Sequence, residues 1–140
     1  MRQSAFKYLG LLVIIVPVAM VAMFGIPAST VNIVIYGMLL IAGVLFIVAS
    51  TISEVTIDGV TLRWRQGIAV GTVLVAVAVP VPYVLDIMRG ETSLLHVGTV
   101  IIVIGASVAL LFFAFDIVGG GRYFKLRGDV DRRIGGHDRL

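Results

Sequence analysis

The sequence predicts an all-α integral membrane protein. It should have four transmembrane helices, both termini cytoplasmic, and a short amphipathic β-hairpin in the cytoplasmic link between helices 2 and 3. Three observations carry that reading. The 140-residue chain is 59% hydrophobic and only 14% charged, with a mean hydropathy of +1.10, which is more apolar surface than one water-soluble core of this size can bury. Four runs are apolar over about 20 residues, the helix length needed to cross a hydrocarbon core of about 30 Å. The basic residues between those runs alternate from side to side in step with them.

Inside lipid a segment must satisfy its own backbone N–H and C=O groups, so each run is read as a helix. The boundaries are residues 9–26, 31–50, 67–85 and 96–118. The first run follows MRQSAFKYLG, a basic start that also suits a secretory signal. It exceeds the ~7–15 apolar residues of such a signal and lacks an A-x-A-like site after it, which predicts an uncleaved helix. Pro17, Pro80 and Pro82 should kink or end the helices that contain them.

Orientation follows from the flanking charges. The N-terminus carries Arg2 and Lys7, and the link at 27–30 carries no charge. The link at 51–66 carries Arg63 and Arg65, and the link at 86–95 sets Arg89 against Asp86 and Glu91. Six of the eleven Lys and Arg residues follow Gly121. The chain therefore divides into a four-helix transmembrane domain, residues 1–118, and a basic cytoplasmic tail, residues 119–140. Gly119-Gly120-Gly121 should act as a flexible break, leaving the tail solvated. The expected setting is the cell (plasma) membrane, with a virion membrane as the alternative.

The link at 51–66 contains Asp58-Gly59 between two alternating, β-branched-rich runs, the pattern of a hairpin with a type I′ turn. Pairing Ile57 with Val60 sets Val55 opposite Leu62 on an apolar face, which Trp64 should extend. Thr56 then faces Thr61, and Glu54 faces Arg63, on a polar one. Isolated hairpins are marginal in water, so the apolar face needs cover from helix ends, the membrane interface or another protein. Trp64, Arg63, Arg65, Arg122, Lys125 and Arg127 are the inner-surface contact candidates, with anionic lipid headgroups among the partners they suit.

Chemistry is thinly represented. No charged residue occurs from Leu9 to Ser50 or from Gly67 to Leu85. Asp116 and Asp86 are weak ion-pathway candidates at the ends of their helices. Asp116 is expected to meet water or to pair with Arg122, Arg63 or Arg65, and Asp86 has Arg89 three residues on. No cysteine is present, and His96 and His137 lack neighbours at ligand spacing, so no metal site and no cofactor are expected. The hydroxyls have no accompanying base, so no catalytic residue is assigned.

What the helices do show is small residues for close packing. Gly67 and Gly71 form a GxxxG pair, and Gly98 and Gly105 lie seven apart on one helix face. They should pack the bundle itself ahead of a homo-oligomer. The expected function is a non-enzymatic structural, scaffolding or assembly role that presents the hairpin and the tail on the inner side. Its partners would be the lipid bilayer together with further copies of the chain or a larger membrane complex, and nucleic acid is not expected. The alternative is a pore-forming or accessory subunit of a channel or transporter.

Overall fold

The structure is a computed structural model that describes residues 2–57, 59–90, 92–125 and 127–128, together with the backbone of 133–134. A short 3-10 turn, Gln3–Ala5, leads into α1 (Phe6–Phe24), followed by α2 (Thr30–Thr51), β1 (Glu54–Ile57) and β2 (Val60–Arg63). Then come α3 (Trp64–Ala78), α4 (Pro80–Met88), α5 (Leu94–Val118) and β3 (Arg133–Ile134). Four spans, Gln3–Phe24, Thr30–Thr51, Trp64–Met88 and Leu94–Val118, are long and apolar enough to cross a membrane.

Local chemistry explains the breaks. α1 stops at Gly25, whose φ of 81° suits glycine. It runs unbroken through Pro17, which is buried within it, so that proline does not end the helix as its residue type suggests. Pro80 does interrupt the third span: it has no N–H to donate to the preceding turn, so it closes α3 and sits at the first position of α4. Ser93 caps α5, its hydroxyl accepting the His96 N–H at 3.3 Å.

The helices pack in sequence, α1 on α2, α2 on α3, and both α3 and α4 on α5. Phe6, Phe46, Ala49, Ile68 and Ile117 form the buried core at the end where α1 and α3 begin, with Val13, Trp64, Val75 and Phe113 against them. On α5 the seam of Val100, Ser107, Ala114 and Ile117 is buried, while Ile101, Ile102, Val108 and Phe115 are exposed on its outer side. α1 is similarly bare at Leu12, Ile15 and Val16. Such wide apolar faces are foreign to a water-soluble monomer.

Glycine sets the closest helix approaches, and not everywhere the spacing suggests. A methyl group on Gly10 would lie 2.6 Å from the Gly43 carbonyl oxygen, and one on Gly43 would lie 2.8 Å from the Gly10 carbonyl oxygen. Gly71 meets Phe46 at 2.9 Å and Gly67 meets the Ala49 Cβ at 3.2 Å in the same sense. Gly98 and Gly105 correct the expectation of packing within the bundle: among the described residues, nothing lies within 4 Å of a methyl placed on either. Their face of α5 points away from the α3 seam.

The hairpin adopts the expected register, Ile57 with Val60, Thr56 with Thr61, Val55 with Leu62 and Glu54 with Arg63. Gly59 takes a φ of 81° in the turn, while Asp58 lies outside the described residues. The Thr56 and Thr61 hydroxyls meet at 3.2 Å, and Arg63 approaches Glu54 at 3.9 Å. Trp64 departs from expectation. The strand ends at Arg63, and Trp64 opens α3 and turns toward the core.

The tail also departs from expectation. β3 pairs in parallel with β1, giving a sheet of order β2-β1-β3. Arg127 bridges to Arg2 beside the start of α1. The segment after the three glycines is thus folded back over the bundle, because an edge of β1 and the free N–H of Gln3 give its backbone partners. The remaining tail residues, including Arg132 as a whole, Arg139 and the side chain of Arg133, lie outside the described part.

Candidate functional site

The basic residues predicted for the inner surface gather at one end of the bundle, where the N-terminus, the hairpin and the tail converge. Gln3 ties the N-terminus to the tail and to the end of α2 that leads into the hairpin. Its backbone N–H donates to the Arg127 carbonyl at 2.9 Å. Its side-chain Nε2 donates to the carbonyls of Ala49 at 2.8 Å and Ile52 at 3.1 Å, at the C-terminal end of α2. The last four carbonyls of a helix lack intrahelical partners, so one amide here satisfies two groups that would otherwise be stranded. Gln3 is fully buried, and its Oε1 has no hydrogen-bond partner among the described residues. A methyl on Gly128 would lie 3.5 Å from that oxygen and 3.6 Å from the Trp64 indole nitrogen.

Beside this junction the apolar face of the hairpin roofs a groove of about 370 Å³ between the ends of α2 and α3. Leu45, Val48, Ala49 and Ile52 of α2 and the adjoining chain form one wall, and Gly67 and Val70 of α3 form the other. Val55 and Leu62 close it from the hairpin side, with Arg63, Trp64 and Gln66 where the strand passes into the helix. The cover that the hairpin needed therefore comes from helix ends on one side only. Ile57 and Val60, at the tip, stay exposed. Gln66 fixes the junction by accepting the Arg63 N–H at 3.0 Å. Arg65 lies over the Trp64 ring, 5.6 Å from its centroid, and Lys7 lies over Tyr8 at 4.9 Å.

Asp116 closes the other side of this end. Three glycine N–H groups satisfy the carbonyls of the last turn of α5: Gly119 to Phe115 at 2.9 Å, Gly120 to Ile117 at 3.4 Å and Gly121 to Asp116 at 2.7 Å. The Asp116 carboxylate accepts the N–H groups of Tyr123 at 3.1 Å and Phe124 at 2.8 Å. It binds backbone N–H groups where its place in the sequence suggests water or an arginine partner. Tyr123 and Phe124 consequently fold onto α5, their rings 5.7 Å from Phe112 and 4.9 Å from Phe113. Arg122 and Lys125 flank that reversal and are exposed.

At the opposite end Asp86 and Arg89 pair at 3.6 Å, with Arg89 exposed and Asp86 half-buried. They border a small cavity of about 200 Å³ with Ser29, Val31, Asn32, Pro82 and Leu85. His96 Nε2 lies 3.3 Å from the Tyr83 carbonyl oxygen. Among the described residues, no three His, Cys, Asp or Glu side chains come close enough to share a metal ion. Asp86 and Asp116, the two ion-pathway candidates, are at opposite ends and are not brought together.

Gln3, Gly10 and the pairing of Gly10 with Gly43 carry structural roles that sequence reasoning does not assign, although Gly43 itself belongs to the small residues of the second helix expected to let helices approach. A lone glutamine three residues from the start gives no periodic signal. Gly10 and Gly43 lie on different helices, so no spacing within one segment relates them.

The chain belongs to a family of unknown function (DUF7994), which matches residues 1–130. No curated protein matches the chain, and no solved structure does.

Proposed function

We propose that this member of the family is a multi-pass membrane scaffold or assembly subunit, with both termini and the hairpin on the cytoplasmic side of the plasma membrane. It would present its basic end to further copies of itself or to a larger membrane complex. The observation that supports this most is the folding together of three distant segments at that end, through Gln3 to Arg127 and β1 to β3. Connections that only join helices have no need of a common surface. Positive charge concentrated at one end favours its cytoplasmic placement, and the cation–aromatic pairs at Tyr8 and Trp64 suit a membrane–water boundary.

The chain has no cysteine, so single cysteines report sidedness directly. A membrane-impermeant maleimide should label Thr92→Cys on intact cells and Thr61→Cys only after the membrane is opened. The reverse pattern would overturn the orientation.

The assembly role has its own test. Extracted in mild detergent, the full chain should run larger than a monomer. Gly59→Val forces a β-branched residue into a turn with φ of 81°. It should reduce the complex to the monomer while the helix content stays unchanged. A wild-type chain that is already monomeric, with nothing co-purifying, would remove the basis for the role.

A further inference from the structure

We propose that the groove under the hairpin binds an anionic phospholipid. One acyl chain lies between the hairpin and the ends of α2 and α3, and the phosphate is held at the mouth by Arg63 and Arg65. This deepens the reading above and rests on its placement of the basic end at headgroup level. The volume of about 370 Å³ is in the lower part of the range for ligand sites, about 300–1,000 Å³. Leu45, Val48, Val55, Leu62 and Val70 line it with hydrocarbon. Val48 and Val70 are exposed on the outer surface of their helices, so the groove is continuous with the apolar faces of α2 and α3. Its occupant then enters from the bilayer and not from water.

Charge selects among bilayer lipids. Arg63 stands where β2 passes into α3, with its side chain 74% exposed and its contact to Glu54 long at 3.9 Å. Its guanidinium can take a phosphate in the two-pronged geometry that arginine favours. Arg65, held over Trp64 at 5.6 Å, adds a second cation beside an aromatic of the kind that marks the headgroup region. A zwitterionic lipid fills the same groove but offers these arginines no net charge.

The test is native mass spectrometry of the full chain in mild detergent, titrated with phosphatidylglycerol and phosphatidylcholine of identical acyl chains. Phosphatidylglycerol should be retained in preference. Arg63→Gln should lower that preference roughly fivefold and leave phosphatidylcholine unchanged. Val70→Trp, which fills the groove, should lower retention of both lipids. Leu62→Gln, on the half-exposed face of the hairpin, should do the same without disturbing a helix, and thermal melting shows that each variant is folded.

Inorganic phosphate should not displace the lipid. Equal retention of both lipids, unmoved by the groove variants, would mean annular lipid only and overturn the site. Displacement by phosphate would convert it to a free-anion site and overturn the lipid. Maleimide labelling of Thr61→Cys from the outside would overturn the orientation alone, since binding in detergent does not depend on sidedness.

Discussion

Gly10→Ala should destabilise the folded chain by about 1–3 kcal/mol, the usual cost of overpacking a close contact, and Gly10→Val should separate α1 from α2. The added methyl would sit 2.6 Å from the Gly43 carbonyl oxygen and 2.8 Å from Ile47 Cγ1. The first of these is backbone, fixed within α2, so the clash is relieved only by moving a whole helix. Where lipid is as apolar as the side chains, close backbone approach supplies much of the helix association, and a fraction of an ångström forfeits it.

The other glycines should follow in order of their clearance. Gly71→Ala meets the Phe46 ring at 2.9 Å and the Ala42 carbonyl oxygen at 3.2 Å, each longer than the 2.6 Å backbone contact of Gly10, and should be milder. Gly67→Ala meets Ala49 Cβ at 3.2 Å and should be milder again. Gly98→Ala and Gly105→Ala meet nothing within 4 Å. They should leave the melting temperature of the detergent-solubilised chain unchanged, or raise it slightly through helix propensity. Thermal melts followed by far-ultraviolet circular dichroism give the ranking. A loss at Gly98 as large as that at Gly10 would show the helix arrangement to be wrong.

That series also separates what is legible in the sequence from what is not. The four helices are legible because hydrocarbon thickness imposes a length, and run length is a local property: residues 31–50 correspond to Thr30–Thr51 and residues 96–118 to Leu94–Val118. The hairpin register is legible because Gly59 sets the turn and side chains alternate from it. Packing partners are another matter. Gly98 and Gly105 have the right spacing and no neighbour, whereas Gly10 and Gly43 have no common motif and touch, because contact depends on which faces the whole bundle turns inward. Alternation extends the hairpin face to Trp64 because it does not reveal where a strand gives way to a helix. The tail reads as solvated because its charges are visible in the sequence and its backbone partners, β1 and Gln3, are not.

Gln3 gives the second large effect. Gln3→Leu should destabilise the chain by about 1–3 kcal/mol, because the carbonyls of Ala49 and Ile52 lose their shared donor in a place that Leu closes to water. The loss is held to that size by a compensation: the same substitution removes Oε1, a buried acceptor with no partner among the described residues. Gln3→Glu should be worse than Gln3→Leu at neutral pH, since it keeps the size but sets carboxylate oxygens against two carbonyl oxygens.

Gly128→Ser is the complementary change. Its Cβ would lie 3.5 Å from Oε1, within reach for the hydroxyl to donate to that oxygen, so it should raise the melting temperature of the wild type. In the Gln3→Leu background there is no Oε1 to receive the proton, and the gain should vanish. The double-mutant cycle isolates this term from the loss of glycine flexibility, which is present in both backgrounds. Equal gains in both would mean that the new hydroxyl contributes nothing and the substitution acts through the unfolded chain alone. A Gln3→Leu melt identical to wild type would mean that Gln3 does not hold the end of α2, and the junction of N-terminus, hairpin and tail would then need another fastening.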